Sequence, residues 1–268
     1  TANGSVIIHP SPVPDFSTAN VCLYDYAIFT NLSTIPSGSL PVSVWNFDDG
    51  NPPMPGWNMI YQYNSSGSYN VMLAIVSDSG CADSVVKPIV IHPVPVADFI
   101  FNDTCAYDTS VFTNLSTVST GVIANYQWDF GDGNSSVSPK PTHFYGSAGV
   151  YTVELIVQTD SNCLDTATKQ ITIFPVPVAA FMVSNICIYD SAKFINLSYV
   201  SPGSIATNEW NFGDSSPLSG SVNPVHPYPA PGNYSVQLIV ISDQNCRDTT
   251  TGGVVVHPQP VADFTNDS

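Results

Sequence analysis

The chain has 268 residues, and 43% of them are hydrophobic, which is enough for packed cores in one large domain or in two or three ordinary ones. Only 5 residues are Lys or Arg against 21 Asp or Glu, so the formal net charge is −16. This charge repels phosphate backbones and anionic membrane surfaces, and it excludes nucleic acid as a partner. No apolar run reaches the roughly 20 residues needed to cross a bilayer, so we expect a protein that is not membrane-inserted. The 23 prolines and the many Ser, Thr, Asn and Gly residues favour strands and turns, and we expect almost no helix.

The chain repeats itself at a spacing of about 83 residues. Trp45, Trp128 and Trp210 mark this step, within the motifs WNFDDG, WDFGDG and WNFGDS. A proline-rich lead followed by phenylalanine recurs four times, at Phe16, Phe99, Phe181 and Phe264. The repeats predict three domains at 10–92, 93–174 and 175–258, the last strand of a preceding repeat at 1–9, and the first strand of a following repeat at 259–268. We therefore expect a piece of a longer array, or end strands that pair with neighbouring molecules.

Each repeat is dense in strand signals, and the second one shows them most clearly. Alternating β-branched and aromatic residues predict strands at 110–116, 124–130, 150–158 and 168–174. Seven or so short strands in one repeat predict a β-sandwich. The period of two places Tyr151, Val153, Leu155 and Val157 on one face, and we expect Trp128 and Phe130 to supply the opposing inner face. The predicted fold class is all-β, with three tandem sandwiches in an elongated array.

The acidic stretch after each tryptophan could be a metal loop, a catalytic pair or a tight turn. A catalytic pair is disfavoured because Asp129 is replaced by Asn46 and Asn211 in the other repeats. The second aspartate persists and is followed by a small residue, which favours a turn in which Asp accepts backbone N–H groups and Gly adopts positive φ. The predicted structural turn motif consists of Trp45, Asp49, Trp128, Asp132, Trp210 and Asp214.

These residues also carry a resemblance to a known family. The motif W-[ND]-F-[GD]-D-[GS], followed by Tyr, Gly, Tyr, Val and Leu as at Tyr145, Gly149 and Tyr151, resembles the PKD (polycystic kidney disease) domain. The family implies an extracellular immunoglobulin-like β-sandwich, usually in tandem, that acts as a spacer or adhesive module without catalysis. The proline-rich linkers and added cysteines most resemble the arrays of bacterial surface proteins of the adhesin and gliding-motility type. Asp48 and Ser215 depart from the family motif, and we expect those two turns to be reshaped.

Six cysteines follow the same repeat, one in each half of every unit: Cys22, Cys81, Cys105, Cys163, Cys187 and Cys246. Pairing by position predicts one disulfide inside each repeat, namely Cys22 with Cys81, Cys105 with Cys163, and Cys187 with Cys246. One alternative is six buried free thiols. Another is metal binding, which is disfavoured because no pair has the close spacing of zinc sites and the histidines do not accompany the cysteines. Three periodic cystines indicate an oxidising compartment, so the expected location is extracellular or at the cell surface.

The histidines vary between repeats and are interpreted as packing or surface residues. His9, His92 and His257 share one position that Phe174 fills in the fourth copy, and His143 and His226 are matched with Ile60 in the first repeat. We expect no metal common to every repeat and no other cofactor. Asp15, Asp98 and Asp263 recur before the first strand, but Ala180 takes that position in the third repeat, so calcium is expected at most at a particular junction.

A short acidic segment follows each second cysteine, and a related one occurs in the third repeat. These segments resemble the Asp-Ser/Thr-apolar acceptor sequence for O-glycosylation in some secreted bacterial proteins, which makes Ser84, Thr166, Thr249 and Ser191 candidate sites. The alternative is that Cys-x-Asp-Ser/Thr forms a hairpin turn before the last strand.

Two classes of function remain. The first is a non-catalytic extracellular rod, part of a surface stalk or filament, whose partners are neighbouring repeats, further copies, or a cell-surface or matrix ligand. The second is an accessory module of a secreted hydrolase that grips polysaccharide or fibrous protein, for which Trp57 is the one unpaired tryptophan. An enzyme is disfavoured because no Gly-x-Ser-x-Gly elbow, phosphate loop or dinucleotide fingerprint is present.

Overall fold

A computed structural model describes residues 7–262 of the chain. These residues form 25 strands and no helix, as the composition predicts. No helix in this range could therefore cross a membrane. The end strands predicted at 1–9 and 259–268 fall mostly on residues outside the described range, as do Asp263 and Phe264.

Domain 1 contains eight strands in two sheets. Its strands are β1 (Phe16–Ser17), β2 (Val21–Cys22), β3 (Tyr26–Asn31), β4 (Val42–Asn46), β5 (Met54–Pro55), β6 (Met59–Gln62), β7 (Gly67–Val76) and β8 (Ala82–His92). The larger sheet has the order β2-β8-β7-β4-β5, and the smaller sheet has the order β1-β3-β6.

Domain 2 repeats this plan with a smaller sheet that is split into two pairs. Its strands are β9 (Phe99–Ile100), β10 (Thr104–Cys105), β11 (Thr109–Val111), β12 (Thr113–Asn114), β13 (Ile123–Asp129), β14 (Ser135–Ser136), β15 (Thr142–Phe144), β16 (Gly149–Thr159) and β17 (Leu164–Phe174). The larger sheet is β10-β17-β16-β13-β14, and the pairs are β12-β9 and β11-β15.

Domain 3 has the same plan with a four-stranded larger sheet. Its strands are β18 (Phe181–Met182), β19 (Ile186–Cys187), β20 (Ser191–Lys193), β21 (Ile195–Asn196), β22 (Ile205–Asn211), β23 (Val225–Pro227), β24 (Gly232–Ser242) and β25 (Arg247–His257). The larger sheet is β19-β25-β24-β22, and the pairs are β18-β21 and β20-β23.

A long antiparallel hairpin dominates each larger sheet, and its second strand ends the domain. In domain 2 this hairpin is β16 with β17, which pair continuously from Gly149 opposite Ile173 to Gln158 opposite Leu164. The short strands β2, β10 and β19 lie parallel to the end of the last strand of their own domains. They therefore mark the end of the sandwich at which the chain leaves, here called the trailing end. The opposite end, which holds the turn of the long hairpin, is called the leading end.

The core of each domain is built around its tryptophan. Trp128 is fully buried, and Val153, Leu155 and Val157 are buried on one face of β16, as the alternation predicts. The prediction that Trp128 faces them from the opposite sheet is wrong, because Trp128 pairs directly with Leu155 in the same sheet. The opposing layer is supplied by phenylalanines of the smaller sheet, one of which packs edge-on against Trp128 with a centroid distance of 5.1 Å. The rings that face the three tryptophans in this way are Phe16, Phe99 and Phe181.

Candidate functional site: the disulfide joints and the turns beside them

The first cysteine of each repeat lies at the trailing end of its domain. Cys22 is opposite His92, the last residue of β8, and the next amide, Leu23 N, donates to the His92 carbonyl at 2.7 Å. A tight turn follows, in which Asp25 N donates to the Cys22 carbonyl at 3.0 Å and Tyr24 has a φ of 73°. Cys105 and Cys187 have the same pairing and the same turn. The motif Cys-x-Tyr-Asp therefore holds a cysteine in a fixed position where each domain ends.

The second cysteine of each repeat lies in the turn of the long hairpin, at the leading end. In domain 2 the Thr159 N–H donates to the Cys163 carbonyl at 2.9 Å, while the Cys163 N–H donates to the Thr159 hydroxyl at 3.1 Å. Asn162, just before the cysteine, has a φ of 66°. The other two hairpins, Ser77–Cys81 and Ser242–Cys246, have the same two hydrogen bonds. The pattern [ST]-D-x-[GN]-C thus forms the hairpin turn, which lies before the cysteine. The prediction from the sequence places a turn after the cysteine and does not use this pattern.

The disulfides join neighbouring domains. Cys22 of domain 1 is bonded to Cys163 of domain 2, and Cys105 of domain 2 is bonded to Cys246 of domain 3. Both bridges have a Cα–Cα distance of 5.6 Å and a sequence separation of 141 residues. Each bridge connects the trailing end of one domain to the leading hairpin of the next.

The predicted pairing within each repeat is therefore wrong. Cys81 lies just before the first residue of β8, whereas Cys22 is opposite its last residue, His92. A strand of 11 residues at about 3.3 Å each separates the two cysteines by roughly 35 Å, far beyond the span of a disulfide. The same separation holds in the other domains, so Cys105 does not pair with Cys163 and Cys187 does not pair with Cys246.

Two cysteines have no bridge within the described residues. Cys187, at the trailing end of domain 3, is exposed, and Cys81, in the leading hairpin of domain 1, is half-buried. The bridged counterparts of Cys81, which are Cys163 and Cys246, are 1% exposed, and those of Cys187, which are Cys22 and Cys105, are half-buried. The sequence predicts that all six cysteines are paired, and the structure pairs four of them.

The linkers are tied to the domains that follow them by the acidic segment after each hairpin. Asp165 accepts a hydrogen bond from Ala97 N at 2.7 Å, and Asp248 accepts one from Ala179 N at 2.8 Å. In domain 1 the matching position is Pro14, which has no N–H to donate. These aspartates lie within the last strands, so the prediction that Cys-x-Asp-Ser/Thr forms a turn is wrong.

The turn after each tryptophan is held by its two acidic or amide side chains. In domain 2 Asp129 accepts from Gly131 N at 2.8 Å, and Asp132 accepts from Asn134 N at 3.1 Å. Asn46 and Asn211 replace Asp129 without loss, because an amide oxygen accepts the same backbone hydrogen bond. Asp49 and Asp214 repeat the role of Asp132.

The two departures from the family motif keep the φ angles of these turns in the left-handed region, so the expected reshaping does not extend to these angles. Asp48 has a φ of 62°, in the same left-handed region as Gly131 at 78°, and its carboxylate accepts a hydrogen bond from Asn70 N. Ser215 has a φ of 69°, close to the 89° of Gly133.

A stacked aromatic donor completes each turn. His143 lies flat on Phe130 with a centroid distance of 4.2 Å, and its Nε2 donates to Asp132 Oδ2 at 2.7 Å. His226 makes the same contacts in domain 3, with Phe212 and Asp214. In domain 1 the equivalent residue is Tyr61, which stacks on Phe47 and donates its hydroxyl to Asp49, and not Ile60 as the sequence comparison suggested.

The pKa of Asp132 reflects this environment. Burial of the carboxylate opposes its ionisation, but hydrogen bonds from His143 and Asn134 outweigh burial and lower the pKa below the ordinary 3.8. The pKa values of Asp49 and Asp214 are lowered in the same way, against burial, by their own hydrogen-bond donors. Beneath each turn a buried tyrosine hydroxyl donates to a phenylalanine carbonyl, as Tyr145 does to Phe130 at 3.0 Å, and burial raises the pKa of this tyrosine.

Two of the remaining histidines contribute to the trailing-end joints through their backbone. The carbonyls of His92, Phe174 and His257 accept the N–H of the residue after the trailing-end cysteine. A backbone contact of this kind does not depend on the side chain, which explains why Phe can stand in a histidine position. His9 is exposed.

The aspartates whose recurrence suggested a calcium site form ion pairs with lysines. Lys87 Nζ contacts Asp15 Oδ1 at 2.5 Å, and Lys169 Nζ contacts Asp98 Oδ1 at 2.6 Å. Domain 3 lacks both partners, because Ala180 replaces the aspartate and Gly252 lies where the lysine would be. Among the described residues no group of three or more His, Cys, Asp or Glu side chains could hold a metal ion. Calcium at a junction remains a prediction.

The candidate glycosylation sites Ser84, Thr166, Thr249 and Ser191 are all exposed. Exposure is required for modification, and the intact mass of the native protein would test whether these residues carry glycans.

The side chain of Trp57 is also accessible, with 45% of its surface exposed.

The comparison with known families matches this architecture three times. The model of the PKD domain family matches residues 9–91, 92–173 and 175–256. The chain therefore belongs to the PKD domain family, and it consists of three tandem immunoglobulin-like domains.

Individual relatives share part of the chain. Over 147 residues, or 52% of the chain, it is 31% identical to the pre-pro-metalloprotease PrtV of Vibrio cholerae serotype O1 (strain M66-2). Over 58 residues, or 22% of the chain, it is 47% identical to a microbial collagenase of Vibrio alginolyticus. The matches span only 15% and 7% of the lengths of these two relatives. Among solved structures, the crystal structure of the PKD1 domain of the V. cholerae metalloprotease PrtV matches 30% of this chain and 96% of its own, with 36% identity and a TM-score of 0.29.

Proposed function

We propose that this chain is a segment of an extracellular, non-catalytic rod whose domains are locked end to end by disulfides. The observation that carries the proposal is the position of the two bridges, each between the trailing end of one domain and the leading hairpin of the next. Disulfides inside each domain would stabilise the domains singly, whereas bridges between domains resist their separation.

The bridges also shorten the covalent path through the protein. Without them, a fully extended chain of 268 residues spans up to about 960 Å. With both bridges closed, the shortest covalent path runs from the N-terminus to Cys22, crosses to Cys163, returns along the backbone to Cys105, crosses to Cys246 and continues to the C-terminus. This path contains roughly 100 residues and spans at most about 370 Å. Unfolding under load therefore lengthens the oxidised chain far less than the reduced one.

The location follows from the same chemistry. Disulfides persist in oxidising compartments, and two of them at equivalent joints support an extracellular site of action. Attachment to a cell surface, and the adhesive role that tandem PKD arrays suggest, belong to this proposal.

Single-molecule stretching between tags at the two termini tests the rod. We expect the total contour length released by unfolding to at least double when a reductant is present, because the reduced chain can extend through all of its residues. Cys163→Ser combined with Cys246→Ser should give the long contour without reductant. Equal contour lengths in oxidised and reduced protein would refute the load-bearing role.

A second candidate is an accessory module of a secreted hydrolase. It is favoured by the similarity to parts of a metalloprotease and a collagenase and by the exposed Trp57. Pull-down with insoluble collagen and with insoluble polysaccharide would test it, with Trp57→Ala as the variant and the exposed Tyr189→Ala as the matched control. Saturable binding lost only in Trp57→Ala would favour this function over the rod.

A further inference from the structure

The two unbridged cysteines lie in structures that form disulfides elsewhere in the same molecule. At the trailing end of domain 3, Cys187 pairs opposite His257, and Ile188 N donates to the His257 carbonyl at 2.8 Å. The turn that follows has Asp190 N donating to the Cys187 carbonyl at 3.1 Å, with Tyr189 at a φ of 79°. These are the same contacts that position Cys22 and Cys105 for their bridges, so domain 3 ends in a fully formed half of a joint.

Cys81 occupies the complementary half. Ser77 N donates to the Cys81 carbonyl at 2.8 Å, Cys81 N donates to the Ser77 hydroxyl at 3.0 Å, and Gly80 has a φ of 80°. The hairpins that carry the bridged Cys163 and Cys246 have this geometry too. The bridged hairpin cysteines are almost completely covered, whereas Cys81 is half-buried. The bridged trailing-end cysteines Cys22 and Cys105 are half-buried, whereas Cys187 is exposed.

We propose that Cys187 and Cys81 are complementary halves of further joints. Cys187 forms a disulfide with the hairpin cysteine of a PKD repeat that follows domain 3, and Cys81 forms one with the trailing-end cysteine of a repeat that precedes domain 1. This inference deepens the proposed rod function. It rests on that function in one respect, because both require repeats that are arranged end to end.

The added bridges would complete two interleaved covalent paths along the array. One path runs through the bridge from Cys22 to Cys163 and along the backbone to Cys187, and the other runs from Cys81 along the backbone to Cys105 and through its bridge to Cys246. Each backbone segment of about 24 residues spans at most about 86 Å when fully extended.

The folded domains leave such a segment little slack. A last strand of 11 residues is about 37 Å long, so two domains in line with their linker approach the full extension of the segment. If every joint is closed, each path is nearly taut from bridge to bridge, and unfolding a domain adds almost no length to the rod. The thiols of Cys81 and Cys187 are the points at which these two paths end in this chain.

The bond can form by thiol–disulfide exchange with glutathione disulfide as the oxidant. The Cys187 thiolate attacks one glutathione sulfur, which gives a mixed disulfide and releases one glutathione thiolate. The hairpin cysteine thiolate then attacks the Cys187 sulfur and releases the second glutathione thiolate. Two protein thiols are oxidised and one glutathione disulfide is reduced to two thiols.

A tandem of two copies of the three domains provides the test, because the second copy supplies a following PKD repeat. The first copy ends at His257 and continues at Pro10 of the second, which keeps the spacing of the natural linkers. Cys187 of the first copy and Cys81 of the second are then separated by nearly the same 141 residues as the cysteines of the existing bridges. Cys81→Ser in the first copy and Cys187→Ser in the second leave only these two thiols spare.

After refolding in a glutathione redox buffer, free thiols are alkylated and the disulfides are mapped by non-reducing peptide analysis. We expect a monomeric tandem without free thiols and with a Cys187–Cys81 peptide. The matched control carries Cys187→Ser in the first copy and Cys81→Ser in the second, which leaves the spare thiols at opposite ends, and both should be alkylated. Alkylated Cys187 and Cys81 in the test tandem, with the other bridges intact, would overturn the proposal.

The result is separable from the rod function. A Cys187–Cys81 bridge in a tandem whose stretching is insensitive to reductant would support the joint and refute the mechanical role. A chain that stretches as proposed but leaves the two cysteines alkylated in the tandem would support the rod and refute the further joints.

Discussion

Domains 1 and 2 build the same turn after their tryptophans from different side chains. Domain 2 has Gly131 in the left-handed position and His143 as the stacked donor, whereas domain 1 has Asp48 and Tyr61. In both domains an aromatic side chain lies flat on a phenylalanine and donates a hydrogen bond to the second aspartate. The repeat therefore preserves a contact rather than a residue, and the side chains can change provided that the carboxylate keeps its donor.

Domain 3 extends this comparison to a contact that is lost. Domains 1 and 2 each hold an Asp–Lys pair with the lysine over the first phenylalanine ring, as Lys169 is over Phe99 at 5.3 Å. In domain 3 the aspartate and the lysine are both absent. A Cβ on Gly252 would lie 2.8 Å from the ring of Phe181, so the phenylalanine occupies the space that a side chain there would need. Domain 3 therefore lacks both partners of the pair, so neither charge is present without its counter-charge at this position.

The strongest destabilisation should come from imposing a side chain on the left-handed glycine of domain 2. A Cβ on Gly131 would lie 2.4 Å from the Thr152 carbonyl oxygen, at a φ of 78°. We expect Gly131→Ala to reduce the stability of domain 2 by about 3 kcal/mol, from backbone strain and steric overlap. Hydrogen exchange followed by mass spectrometry, resolved by domain, measures this change.

Gly146→Ala is the matched control, because nothing lies within 4 Å of the position that a Cβ would take there and its φ is not positive. Asp48→Gly in domain 1 should change stability little, because the relief of backbone strain offsets the loss of the hydrogen bond that Asn70 N donates to the Asp48 carboxylate. Equal exchange in Gly131→Ala and Gly146→Ala would show that the turn does not require glycine.

The next effect comes from the stacked donor. His143→Phe keeps the stacking on Phe130 but leaves Asp132 without this hydrogen bond, and we expect a loss of about 1.5 kcal/mol in domain 2. His143→Tyr copies domain 1 and should restore most of the loss. Domain 3, with His226 unchanged, is the internal reference in the same hydrogen-exchange experiment. A Phe variant as stable as the Tyr variant would assign the whole effect to stacking.

Acid should weaken these turns. The pKa of Asp132 is lowered in the folded protein, so its contribution to stability is fully present above the ordinary value of 3.8 and is lost as the pH falls through the lower folded value. We expect the exchange protection of the turn in domain 2 to decline below about pH 4, and His143→Phe to flatten this dependence. Protection that rises on acidification over this range would contradict the sign of the shift.

The weakest effect belongs to the exposed ion pair. The hydrogen bond from Lys169 lowers the pKa of Asp98, so Lys169→Gly should move that pKa back towards 3.8 in a carboxyl NMR titration. The double variant Asp98→Ala with Lys169→Gly copies domain 3 and should fold like the parent. An Asp98 pKa that does not change in Lys169→Gly would mean that the pair is not formed in solution.

Local sequence signals were enough to establish the fold class and the family, because period-two alternation and the tryptophan motif survive in all three repeats. They also identified the acidic turn, since Asn46 and Asn211 could replace Asp129 only in a role that an amide oxygen can fill. They could not place Trp128 in the correct sheet, because alternation reports which residues share a face but not which strands are neighbours.

The disulfide pairing depends on the tertiary arrangement of the domains. In a chain with one period, Cys22 with Cys81 and Cys22 with Cys163 are equally regular choices, and the shorter loop is the simpler interpretation. The last strand of each domain separates its two cysteines by the full length of the sandwich, and the joint to the next domain brings the alternative pair to a Cα distance of 5.6 Å. Strand length and domain succession, which act over more than a hundred residues, therefore replace the three disulfides expected inside the repeats with two covalent joints between domains.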